Sequence, residues 1–115
     1  MTLREKQSAF ALRVGKLILK AYDLGFELAF GEAERPPEVA KYYASIKKGS
    51  ATSLHISKLA VDFDLFKDGV FQRKTEAYRD LGLYWESLST EDLECCWGGR
   101  FGDGNHFSIR HGGMR

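Results

Sequence analysis

Three histidines stand in the chain, and two of them have carboxylates close by. In Ser53-Leu54-His55-Ile56-Ser57-Lys58-Leu59-Ala60-Val61-Asp62 an imidazole leads into a stretch that carries an aspartate, and in Asp103-Gly104-Asn105-His106-Phe107 an aspartate precedes the imidazole. Two imidazoles and one carboxylate are the ligand set of a catalytic zinc that keeps a fourth position for water. A spare aspartate beside them is the natural acceptor for that water's proton. Aspartates fall near histidines by chance in many chains, so the signal lies in the combination. His111 sits in a Gly-rich tail and reads as a solvent-exposed residue. Cys95 and Cys96 are adjacent, a geometry that rarely closes a disulfide. Adjacent thiolates also seldom reach one ion together, so the pair reads as core or near-surface thiols.

The elements that must position these groups follow from hydrophobic spacing. Phe10, Val14, Leu17, Ile18, Ala21 and Leu24 recur three and four residues apart, which predicts an amphipathic helix over 3–24 with Arg4, Lys6, Arg13, Lys16 and Lys20 between the apolar positions. Gly25 suits its end. Phe26 to Phe30 alternates as a half-buried strand does. Gly31 to Pro37 reads as a loop, Pro36-Pro37 opens a helix that runs to about Ile46, and Lys47 to Ser53 is polar and loop-like. Leu59 to Phe66 alternates again, with Val61, Phe63 and Leu65 on one face and Ala60, Asp62 and Asp64 on the other. Strand periodicity alone does not separate Asp62 from Asp64 as a ligand. Asp68-Gly69 has the chemistry of a tight hairpin returned by Val70-Phe71. Leu81, Tyr84, Trp85 and Leu88 predict a helix over 75–88, and residues 90–94 a further turn of helix. In the Gly-rich segment from Trp97 to Ile109, only 106–109 reads as a strand.

With 115 residues, the chain is sized for one domain with its own core, and no metal or disulfide is needed to hold it together. A balance of 17 Lys and Arg against 16 Asp and Glu argues against a nucleic-acid partner. The apolar runs are short and interrupted by charge, which predicts neither a signal peptide nor stable membrane insertion. The expected product is a monomer made in the cytoplasm, reaching any extracytoplasmic substrate only after release.

The pattern Ser-x-His, Ala-x-Asp, then a late Trp with Asp-x-x-His-Phe resembles the zinc peptidases that comprise D-alanyl-D-alanine carboxypeptidases and phage L-alanyl-D-glutamate endopeptidases, or endolysins, of the hedgehog/DD-peptidase fold. The matching positions are Ser53, His55, Ala60, Asp62, Trp97, Asp103, His106 and Phe107. Gly31 to Glu38 resembles the Arg-bearing loop that precedes the metal site in phage and prophage members, and the likeness spans residues 26–109. The resemblance implies a small α+β domain covering 1–115, with a central, mainly antiparallel sheet flanked by helices and a zinc site on that sheet. It implies His55, Asp62 and His106 as Zn²⁺ ligands, Asp103 as the proton carrier, Arg35 on a substrate carboxylate or the oxyanion, and Ser53 orienting substrate or the ligand loop. Trp97 is expected to pack under the site. The implied substrate is the peptidoglycan stem peptide, cut at L-alanyl-D-glutamate or, with the same residues, at a terminal D-alanine. Two positions depart from the pattern: Lys58 stands where the family often has Gly, and Val39 where it often has Gln. The first bears on the shape of the loop more than on the metal. Outside catalysis, the residues leave open a non-catalytic cell-wall or virion module, or a basic helix that contacts lipid or wall polymer.

Overall fold

The computed structural model describes residues 1–31 and 58–112. Helix α1, Leu3–Asp23, starts where the sequence supplies a capping box: the Glu5 amide donates to Thr2 Oγ1 at 3.1 Å and the Thr2 amide to Glu5 Oε1 at 2.8 Å. It buries Phe10, Leu17 and Ala21. The helix ends at Leu24, and Gly25, at φ +85°, turns the chain into strand β1, Phe26–Phe30.

Strand β2, Ala60–Lys67, returns through Asp68-Gly69 into β3, Val70–Gln72. Both turn residues have positive φ, 52° and 77°, as a two-residue hairpin turn of this hand requires. A 3-10 turn at Thr75–Tyr78 leads into α2, Arg79–Ser87. The predicted helix over 75–88 therefore opens on a tighter turn. The helical turn expected at 90–94 is not formed; Thr90 and Leu93 instead bond each other's backbone as an isolated bridge. Strand β4, Cys95–Trp97, then a 3-10 turn, Gly98–Phe101, and β5, His106–Ile109, complete the described elements. The helix expected from Pro36 to Ile46 and the loop from Lys47 to Ser53 lie outside the described residues.

Every strand pairing among the described residues is antiparallel, in the order β1-β2-β5-β4 with β3 also on β2. The domain is thus α+β, as the sequence predicts. Along β2, backbone groups of alternate residues face opposite edges. Asp62 offers its carbonyl to the Gly31 amide beside β1, while Phe63 donates to Asn105 on the other edge. That second edge carries β5 against Ala60–Asp62 and β3 against Leu65–Lys67. Where the two part, Tyr78 fills the gap: its hydroxyl accepts from the Leu65 amide at 3.1 Å and donates to the Gln72 carbonyl at 3.0 Å.

The core lies on the face of Val61, Phe63, Leu65, Phe107 and Ile109, under the two helices. Trp85 of α2 is fully buried, edge-on to Phe10 at 5.7 Å and to Phe107 at 5.9 Å, and its indole N–H reaches the Ser108 carbonyl at 2.9 Å. Full burial is worth about 1.5–3 kcal/mol for each large apolar side chain, so this face is what fixes the sheet. The opposite face carries Asp62, Asp64 and His106, together with the Phe66–Phe71 pair.

Lys58, at a position where the pattern this sequence resembles often has glycine, has φ +58°. A left-handed residue with a Cβ costs about 1 kcal/mol or more. Lys58→Gly is therefore expected to stabilise the protein by up to about 1 kcal/mol, less the entropy glycine adds to the unfolded chain. The midpoint of urea denaturation would move upward; a fall would mean that the lysine side chain holds this turn.

Candidate functional site

Asp62 on β2 and His106 on β5 are register partners, so both side chains project from the polar face of the sheet. Asp62 Oδ1 and His106 Nδ1 stand 3.2 Å apart, with the two side chains 18% and 10% exposed. Zinc bonds His nitrogen and carboxylate oxygen at about 2.0–2.1 Å, which puts two ligand atoms at a tetrahedral angle about 3.3 Å apart. The donor types and their separation fit one such ion. Among the described residues no third His, Cys, Asp or Glu joins them. His55, the third ligand implied by the sequence pattern, lies outside the described residues, as do Arg35 and Ser53.

Asp64 shares the face of Asp62 but lies opposite Ala29 of β1, away from His106. Its charge is felt instead at Tyr78, whose hydroxyl is pushed above its ordinary pKa chiefly by burial, against the lowering effect of the Leu65 amide and with a smaller push from Asp64. Register therefore separates the two aspartates that alternation could not.

Asp103 lies exposed in the turn between the second 3-10 segment and β5. Its amide donates to the Gly98 carbonyl at 2.8 Å and its carbonyl accepts from the His106 amide at 3.2 Å. The backbone that carries the aspartate is thus tied to the backbone that carries the imidazole. Gly102, at φ +83°, makes the reversal possible. Gly98 is needed for a different reason. A Cβ there would fall 2.2 Å from the Asp103 carbonyl oxygen and 2.7 Å from His106 Cβ.

Trp97 packs beneath this turn, as expected, 5% exposed and with its indole N–H on the Gly104 carbonyl at 2.8 Å. Gly82 of α2 and Gly99 press on its ring, each so close that an added Cβ would sit about 2 Å from a ring carbon. Gly98, Gly82 and Gly99 are the positioning residues that sequence reasoning missed; the Gly98-Gly99 pair directly after a tryptophan was the available signal. Phe101, 54% exposed, has its ring centroid 6.1 Å from that of His106 and forms an apolar rim. A bidentate ion pair of Arg100 with Glu86, at 2.6 and 2.9 Å, ties the same turn to α2 and holds the Glu86 carboxyl below its usual range.

His111 is half-buried rather than exposed, with its Nδ1 3.1 Å from Lys6 Nζ. The two cysteines are buried and unbridged, and burial pushes the Cys95 thiol pKa up. Both are core thiols, one of the two placements the sequence allows.

No protein-family model matches the chain, and no curated relative does. The fold is similar to that of the Serratia marcescens L-Ala D-Glu endopeptidase ChiX, whose crystal structure superposes with a TM-score of 0.71 over 86% of this chain and 77% of that one, at 23% identity. At that identity the likeness establishes the fold. Among the described residues, no helix is long and apolar enough to cross a membrane.

Proposed function

We propose that the protein is a zinc peptidase of the peptidoglycan stem peptide, an endolysin-type enzyme that cuts the L-alanyl-D-glutamate bond. The observation that carries this reading is the Asp62–His106 donor pair at 3.2 Å, with the Asp103 carbonyl accepting from the His106 amide of the same strand. The fold shared with an L-Ala D-Glu endopeptidase supports the choice of substrate.

His55, Asp62 and His106 would hold the ion, which when bound supplies Lewis acidity to the scissile carbonyl and to water. Asp103 takes a proton from the attacking water and hands it to the departing amine, so that the peptide and one water become a carboxylate and an amine. Arg35 is assigned to a substrate carboxylate or the oxyanion, a task suited to a guanidinium fork, and Ser53 to orienting substrate or the ligand loop.

Asp62→Asn is expected to weaken zinc binding by at least about a hundredfold, whereas Asp64→Asn shifts it less than about tenfold, as read by competition with a chromophoric chelator. Equal losses would mean that the carboxylates share the ion. The function itself is tested by mass spectrometry of muropeptides after digestion of purified peptidoglycan with the zinc-loaded protein. A new D-glutamyl amine is the expected product. Release of single D-alanine would make the enzyme a carboxypeptidase, and no product from the zinc-loaded protein would reduce it to a non-catalytic wall-binding module.

A further inference from the structure

On the second edge of β2, where β3 and β5 diverge over Tyr78, a cleft of about 190 Å³ opens. Gln72, Arg73 and Thr75 line one side, and Asp103 and Asn105 the other. The two sides meet closely: a Cβ on Gly104 would fall 2.6 Å from Thr75 Cα, so the Asp103 turn is seated directly against the segment that follows β3. Phe71 pairs with Phe66 of β2 and shares the face of Asp62. The Arg73 guanidinium lies over the Phe71 ring, 5.6 Å from its centroid. That contact orders an exposed side chain at the mouth of the cleft. Among the described residues Arg73 makes no ion pair, and it is the cation among the described lining residues.

A small anion lodged here would meet the Asp103 carboxylate, and a cation on the opposite wall would offset that repulsion. Arg73 is placed to do so, and its fork matches a carboxylate better than a lysine would. We propose that this cleft receives the leaving-group half of the substrate, with Arg73 pairing to the carboxylate that flanks the departing amine. The inference rests on the peptidase reading above. In an L-alanyl-D-glutamyl stem that continues through the γ-carboxyl, the carboxylate beside the scissile amine is the free α-carboxylate of the D-glutamyl residue. Arg73 thereby reads the charge at that position.

The test uses two synthetic stem peptides that differ only there, one with the D-glutamyl α-carboxylate free and one with it amidated. Arg73→Ala is expected to lower kcat/KM about ten- to a hundredfold on the free acid, mainly through KM, and to change the amide by less than about threefold. Arg73→Lys should recover part of the loss. Equal losses on both peptides, or no loss on the acid, would overturn the role of Arg73 while leaving the peptidase reading intact. A wild-type protein that cleaves neither peptide would overturn both.

Discussion

Asp103→Asn is expected to lose about 10²- to 10⁴-fold in turnover while still binding zinc with wild-type stoichiometry. The size follows from general acid–base catalysis, in which a positioned carboxylate contributes that factor by taking and returning one proton. The asymmetry follows from the proposed roles: Asp103 is exposed on the turn, whereas Asp62 and His106, 3.2 Å apart, are the pair proposed to hold the ion. The turn itself is held by the Asp103 backbone, whose amide and carbonyl bond Gly98 and His106, so replacing the carboxylate by an amide leaves the scaffold in place. Stopped-flow or mass-spectrometric turnover, paired with metal analysis, separates the outcomes. Loss of zinc together with activity would make Asp103 a ligand and overturn its assignment as proton carrier.

The second large effect is expected from a residue with no chemistry. Gly98→Ala would place a methyl 2.2 Å from the Asp103 carbonyl oxygen and 2.7 Å from His106 Cβ, against backbone and strand atoms that cannot rotate away. Relief requires the turn to lift from β5. We expect a loss of about 3 kcal/mol, near the upper range of overpacking costs, and a fall of about 10 °C in Tm. Zinc affinity and activity should fall with it, because the displaced atoms belong to the strand that bears His106. Gly15→Ala is the control: that glycine lies exposed in α1 with nothing within 4 Å of the added methyl, and alanine there should stabilise by about 0.5–1 kcal/mol. A Gly98→Ala protein as stable as wild type would mean that the turn is looser than its contacts imply.

Much of this arrangement was readable from residue order because the signals were local. The spacing of Phe10, Leu17 and Ala21 and the following Gly25 mark α1 to within a residue, and Asp68-Gly69 fixes a hairpin whose two positive φ angles few other residue pairs accept. Alternation from Val61 to Leu65 assigns the buried face of β2. It could not choose between Asp62 and Asp64, since both obey the same parity; what distinguishes them is His106 across the ladder, 44 residues away, which pairs with Asp62. Strand β4 escaped notice because Cys95, Cys96 and Trp97 are all buried, and three buried residues have no alternation to read. The bridge between Thr90 and Leu93 escaped for a related reason, being too short to have a period. Gly98 and Gly82 were invisible as constraints because what they make room for, the His106 strand and the Trp97 ring, arrives from elsewhere in the chain. Lys58 is the converse case. Its departure from a glycine-favouring pattern pointed at the loop, and the left-handed φ supplies the physical reason.

Strand β5 runs between β2 and β4, and its residues are buried throughout. Flanked by β2 and β4 and packed on Trp85 through Phe107, its ladder amides are expected to exchange with deuterium chiefly when the sheet comes apart as a whole. The His106 strand is therefore expected in the most slowly exchanging cooperative unit of the domain, with the backbone of the Asp103 turn bonded to it through His106. The Asp62–His106 pair is then held by a strand pairing as durable as the fold itself.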